Sequence, residues 1–118
     1  MNRLKIVSDA ISNNNNSYTK IIVEKSDKVG TLWLNSPKDL NCLSTIMTAE
    51  IKKALVELDH DSEIKIIVLR SKSNKIFCAG ADIKHMQQND YATYPHSMHF
   101  LSMERAFRDT RKPTLAIV

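Results

Sequence analysis

The sequence predicts an α/β fold in which a buried sheet is flanked by helices, and three runs of residues carry that expectation. "YTKIIVEK" and "VGTLWLN" are short β-rich stretches separated by "SDK", the pattern of a hairpin, with Gly30 just past the turn. "STIMTAEIKKALVELD" places Met47, Ile51, Leu55 and Leu58 on one helical face, with Glu50, Lys52, Lys53 and Glu57 on the wet side. "IKIIVLRS" is almost continuously apolar and β-branched, as expected of a strand buried on both faces of a parallel sheet. A helix followed by a buried strand is the signature of a crossover unit, so the class is α/β or mixed.

The remaining elements follow in order. Residues 1–17, ending in the Asn13–Asn16 run, read as a disordered or targeting-like tail ahead of a globular region over 18–118. "SPKDLNCLS" is a loop of turn residues, with Pro37 breaking the strand before it. Ser44 or Thr45 caps the helix, which runs to about Asp59. Beyond "IKIIVLRS" lie the polar loop "SKSNK" and then "IFCAGAD", which leads into a short helix over roughly Asp82 to Gln88. "QQNDYATYPHS" is a second loop. A second amphipathic helix covers 96–111, with Phe100, Met103 and Phe107 on one side and Arg105, Arg108, Arg111 and Lys112 along another. Pro113 ends it, and "TLAIV" reads as a further buried strand.

Bulk properties exclude several classes. Hydrophobic residues make up 42% and charged residues 25% of 118, the balance of an ordinary globular domain. No apolar run approaches the roughly 20 residues that a membrane-spanning helix needs. Cys42 and Cys78 are far apart, with no CxxC and no His-rich partner segment, so they read as free thiols in a reducing compartment. His96 and His99 lack an obvious third ligand, and no metal site is expected. The net charge of +4 suits an anionic ligand but falls short of a nucleic-acid signature. Glu104 is placed to pair with Arg108 one turn on.

The most informative stretch is "FCAGADIK", residues 77–84. It holds one of only two glycines, where average usage supplies roughly four times as many. Ala79, Gly80 and Ala81 have almost no side chain, so a ligand can approach the backbone closely. Asp82 suits a helix N-cap. Free N–H groups and a helix amino end in such a loop suit an oxyanion or a phosphate. The same residues also make a tight strand-to-helix turn with Gly80 at a special backbone angle, and the residues themselves leave both readings open. Cys78 reads as a small packed thiol.

"FCAGADIK" resembles the first signature of the crotonase superfamily, the enoyl-CoA hydratase/isomerase family. "VGTLWLNSPKDLNCLS" is similar to that family's strand and loop, "SEIKIIVLRSKSNKIFCAGADIKHM" to its buried strand and oxyanion loop, and "RKPTLAIV" to the strand entering its second signature. The likeness spans roughly Tyr18 to Val118. It implies the N-terminal part of a crotonase-like fold, built of ββα units and incomplete at its C-terminal end. It further implies that the backbone N–H of Ala81 is one of two donors to a thioester oxygen. Ala79, Gly80, Asp82, Ile83 and Lys84 would line the CoA or substrate site, and Lys38 and Leu40 the other side of the groove. Alanine at 81, where the hydroxyisobutyryl-CoA hydrolases tend to carry glycine, leans toward the hydratase and isomerase branches.

The resemblance implies acyl-CoA or enoyl-CoA thioesters as ligands, with coenzyme A part of the substrate and no separate cofactor. It also implies a homotrimer or dimer of trimers, and a mitochondrial matrix location ahead of peroxisome or cytosol. In the family the second oxyanion donor and the acid/base glutamates correspond to positions after Val118, so these 118 residues alone are expected to be inactive. A truncated homologue that binds CoA thioesters or co-assembles with longer relatives is the alternative. RNA binding, known in one branch through a lysine-lined helix, is not expected: Lys52 and Lys53 face Glu50, Glu57 and Asp59 on the corresponding helix.

Overall fold

A computed structural model describes residues 17–81 and 96–118. Strand β1 (Ile21–Ser26) and strand β2 (Val29–Leu34) pair antiparallel. Asp27 and Lys28 turn between them with φ of 52° and 68°, the left-handed pair that a two-residue hairpin needs. A single 3-10 turn, Pro37–Asp39, leads to helix α1 (Thr45–His60). Strand β3 (Ile66–Ser71), helix α2 (His96–Asp109) and strand β4 (Thr114–Ala116) complete the elements of the described residues. The sheet order is β1-β2-β3-β4, and β2, β3 and β4 run parallel.

The core lies between one face of the sheet and the helices. The Ser44 side chain caps α1 by accepting from the Met47 N–H at 3.1 Å. The expected stripe is fully realised: Met47, Ile51, Leu55 and Leu58 are buried, and Ala54 joins them. Each large side chain so buried contributes roughly 1.5–3 kcal/mol. Opposite them sit Ile21 and Val23 of β1, Leu32 and Leu34 of β2, and Ile67 of β3, with Ile64 just ahead of β3. Gly30 lies in this interface because a Cβ there would meet Leu58 Cδ2 at 2.7 Å.

Several expectations are corrected. Within β3 only Ile67 and Val68, adjacent residues on opposite faces, are buried, while Arg70 is exposed, so the strand is covered at its centre and not along its length. The strand in "TLAIV" is exposed along its length, since it forms the edge of the described sheet. On α2, Met103 is the buried apolar side chain and Phe100 is 40% exposed. That helix ends at Asp109, where the Thr110 hydroxyl donates to the Ala106 carbonyl at 2.7 Å. Glu104 and Arg108 do not pair; the ion pairs among the described residues are Lys20–Asp39 and Lys25–Asp61. The helix expected over 82–88, and all but Ser17 of the tail expected over 1–17, lie outside the described residues.

Two reciprocal contacts close the far end of the core. Lys112 Nζ donates to the Leu58 and Asp61 carbonyls at 2.6 Å each, capping the carboxyl end of α1. Asp59 Oδ1 accepts from the backbone N–H groups of Arg111 and Lys112.

Candidate functional site

The carboxyl ends of parallel strands are where open α/β sheets gather ligands, because the connecting loops diverge there. Here β2 delivers the loop 35–44 and β3 delivers the loop 72–81, side by side. Both loops carry residues that the sequence had singled out.

The first loop is held in a strained shape. Leu40 and Asn41 both have positive φ, 57° and 54°, a conformation uncommon for any residue but glycine. Local hydrogen bonds hold it there: the Leu40 N–H donates to Pro37 O, and the Asn41 N–H to Ser36 O at 2.9 Å. Lys20 Nζ ties the loop's carboxylate, donating to Asp39 Oδ2 at 2.8 Å, while the Ser36 hydroxyl donates to the same oxygen. These bonds keep the Asp39 carboxyl below its ordinary value and the Lys20 amine above its own. Lys38 stays exposed, and Leu40 projects outward at 54% exposure.

The second loop lies along the first like a short parallel strand. The Ala79 N–H donates to the Leu40 carbonyl at 3.0 Å, and the Leu43 N–H to the Gly80 carbonyl at 2.7 Å. Leu43 and Ala81 form a parallel bridge. Gly80 has φ of 98°, which turns the chain where an L side chain is disfavoured. Its N–H meets only the Cys78 sulfur at 3.4 Å. The Ala81 N–H has no acceptor among the described residues, and Ala79 and Ala81 are both exposed. Cys78 is half-buried against the core, together with Phe77.

Lys38, Leu40, Ala79, Gly80 and Ala81 are therefore brought together, whereas Asp82, Ile83 and Lys84 lie outside the described residues. Asn41 is the residue that sequence reasoning missed. Its side chain is completely buried and joins the two loops: Oδ1 accepts from the Ser36 N–H at 2.7 Å, and Nδ2 donates to Ser71 Oγ and the Phe77 carbonyl at 3.0 Å each. An asparagine in a turn-rich segment signals tolerance of positive φ, but nothing local signals partners 30 and 36 positions away. Beside this junction a groove of about 420 Å³ is lined by Arg70, Ser73, Lys75, Phe77 and Ile117, among others. No group of three or more His, Cys, Asp or Glu side chains gathers into a metal site among the described residues. No helix among them is long and apolar enough to cross a membrane.

A sheet whose β2, β3 and β4 run parallel, with a small-residue loop docked beside a strained polar turn, places the chain among the α/β proteins, and comparison with known proteins narrows the class. The enoyl-CoA hydratase/isomerase family model matches residues 29–118. A probable enoyl-CoA hydratase of Rhizobium meliloti is 38% identical over 102 residues, covering 86% of this chain and 39% of that protein. A mitochondrial 3-hydroxyisobutyryl-CoA hydrolase of Danio rerio is 33% identical over 104 residues, covering 85% of this chain and 27% of that one. A crystal structure of an enoyl-CoA hydratase from Geobacillus kaustophilus superposes with a TM-score of 0.76 at 29% identity, over 84% of this chain and 38% of that one. The chain belongs to the enoyl-CoA hydratase/isomerase family. It spans about two-fifths of the length of the hydratases it matches.

Proposed function

We propose that this chain supplies the thioester-cradling N-terminal half of an enzyme that hydrates or isomerises enoyl-CoA. The observation that carries the reading is that Ala81 is exposed and its N–H lacks an acceptor among the described residues, while the backbone just before it is tied to Leu40 through Ala79 and to Leu43 through Gly80. A donor held still at an exposed, small-residue surface is what stabilises an oxyanion, because no reorganisation is needed as charge develops. In this reading the Ala81 N–H is the first oxyanion donor, and Ala79, Gly80, Asp82, Ile83 and Lys84 line the thioester. Lys38 and Leu40 form the opposite wall. The unit doing this is residues 18–118.

Higher identity to the hydratase than to the hydrolase supports the hydratase or isomerase branch, as does alanine at 81. The mitochondrial name of one relative supports a mitochondrial location. The family resemblance supports a homotrimer or dimer of trimers. Turnover additionally requires a second donor and acid/base carboxylates, which residues 18–118 are not proposed to supply.

Isotope-labelled chain titrated with a short enoyl-CoA tests the proposal. Saturable amide shifts at Ala79, Gly80, Ala81 and Leu40 are expected. Saturation with no shift in either loop overturns it.

A further inference from the structure

Leu40 is the strained point of the candidate site. It stands at φ 57°, in the left-handed region that suits glycine and disfavours leucine. Strain of this kind persists only where surrounding contacts over-determine the conformation. The same turn of the backbone presents the Leu40 carbonyl to the Ala79 N–H, which donates to it at 3.0 Å just ahead of Gly80 and Ala81. Whatever holds Leu40 therefore holds the small-residue loop.

The restraint comes from both sides. After Leu40, the Asn41 side chain is tied to Ser36, Ser71 and Phe77. Before it, Asp39 Oδ2 accepts from Lys20 Nζ and from the Ser36 hydroxyl, at 2.8 Å each. Lys20 Nζ also reaches Ser36 Oγ at 3.3 Å, so ammonium, hydroxyl and carboxylate close on one another over the Pro37–Asp39 turn. Lys20 is fixed at its own base. Its N–H donates to Glu50 Oε1 of α1 at 2.7 Å, and its carbonyl accepts from the Asn35 N–H at 2.9 Å. The side chain thus spans from a pinned backbone to the loop. The Lys20 and Asp39 side chains are 27% and 32% exposed, so solvent screens the pair and its share of global stability is small. Its consequence lies in where it closes, next to the strained leucine.

We propose that Lys20 is a positioning residue for the Ala79–Ala81 loop: by holding Asp39 it fixes the Leu40 carbonyl, and through the Ala79 N–H it fixes the Ala81 donor. The inference rests on the thioester reading and gives that site a residue that acts through others and touches no ligand itself. Without the ammonium, the Asp39 carboxylate keeps only the Ser36 hydroxyl of these two partners, and Leu40 relaxes away from its strained φ. Its carbonyl then withdraws from Ala79. The ion pair Lys25–Asp61 offers a contrast, since it is as short at 2.7 Å and similarly exposed but joins the far end of β1 to the turn after α1.

Hydrogen exchange at the Ala79 amide, read by NMR on the full chain without ligand, tests the positioning role directly. Lys20→Met should speed that exchange about fivefold, because the local opening becomes easier. Lys20→Arg restores the charge and should return it close to the parent's, and Lys25→Met should leave it there. D39N cuts the same pair from the other side and should reproduce K20M, while K20M/D39N should add nothing to either single change. Exchange in K20M equal to the parent's, an equal rise in K20M and K25M, or additive effects in the double variant overturns the proposal. A short enoyl-CoA titrated into the same chains should bind K20M about threefold to tenfold more weakly than the parent, with K25M unchanged. Equal affinity in K20M and a parent that binds also overturns it. A parent that binds no enoyl-CoA overturns the thioester reading instead, and exchange at Ala79 still decides for or against Lys20 as the residue that sets the loop.

Discussion

The side-chain amide of Asn41 donates to the main-chain carbonyl of Phe77 at 3.0 Å, stapling the loop after β2 to the loop after β3. With the Ser71 and Ser36 contacts, this places one buried polar group at the hinge of the whole candidate site. Asn41→Ala strands the Ser36 N–H and the Phe77 carbonyl in a buried setting, and it leaves alanine at positive φ. Each unmet buried group costs about 1–3 kcal/mol, so a loss of about 3 kcal/mol is expected. Urea unfolding measures it, and amide shifts at Ala79–Ala81 report whether the second loop moves with it.

The two glycines should respond to alanine for different reasons. At Gly80 a Cβ meets nothing within 4 Å, but φ is 98°. The cost there is backbone strain of about 1–2 kcal/mol. At Gly30 the new Cβ meets Leu58 Cδ2 at 2.7 Å, within the packed core. Overpacking there costs about 1–3 kcal/mol, and it should perturb Leu58 methyl resonances where Gly80→Ala leaves them unchanged.

Acid should weaken the loop after β2. The hydrogen bond from Lys20, then that from Ser36, holds the Asp39 carboxyl below its ordinary 3.8. A carboxyl depressed on folding contributes stability above its unfolded value and loses it as pH falls through the folded one. At Asp61 burial pushes upward, but the hydrogen bond from Lys25 and the Glu63 N–H outweigh it, so the net direction is also down. Urea midpoints should therefore fall as pH drops below 4, and D39N should flatten that slope. An unchanged slope in D39N removes Asp39 from the account.

Alkali provides a separate check. Burial first, and Glu57 second, raise the Tyr18 phenol above its ordinary range. Its hydroxyl donates to Glu57 Oε1 at 3.1 Å. A group raised on folding stabilises below its unfolded pKa and loses that contribution only as pH climbs through the folded value. Absorbance near the phenolate band should show Tyr18 ionising after an ordinary tyrosine, and Glu57→Gln should bring it earlier.

Lys112→Met should cost about 1–2 kcal/mol, since hydrogen bonds from a charged donor to the Leu58 and Asp61 carbonyls are lost from the end of α1. Asp59→Ala releases the same turn from the other side. The two changes share one clasp, so their combination should cost less than the separate effects added together.

Hydration assays on residues 1–118 alone should show no turnover comparable to an ordinary enzyme. In the proposed reading the second oxyanion donor and the acid/base groups are not among these residues, and losing one such donor lowers a rate by about 10²–10³-fold. Turnover at enzymatic rates would reverse the assignment of this chain as half of a site.

Local pattern was enough for the elements themselves. The hairpin, the α1 stripe of Met47, Ile51, Leu55 and Leu58, and the Ser44 cap all follow from nearest-neighbour chemistry: alternation, helical period and a hydroxyl at a helix start. The resemblance carried by "FCAGADIK" and its flanking segments reached the family, because the order and spacing of several short segments are legible without any tertiary contact.

Tertiary structure alone decided which surfaces are covered and which distant groups meet. The expected burial of "TLAIV" failed, and that of β3 held only at Ile67 and Val68, because an apolar run records what a residue tolerates, whereas exposure depends on what packs against it. The meeting of Asn41 with Ser71 and Phe77, and of Trp33 with Arg70 and Lys72, is invisible in sequence. Strand register brings together residues that no local periodicity links.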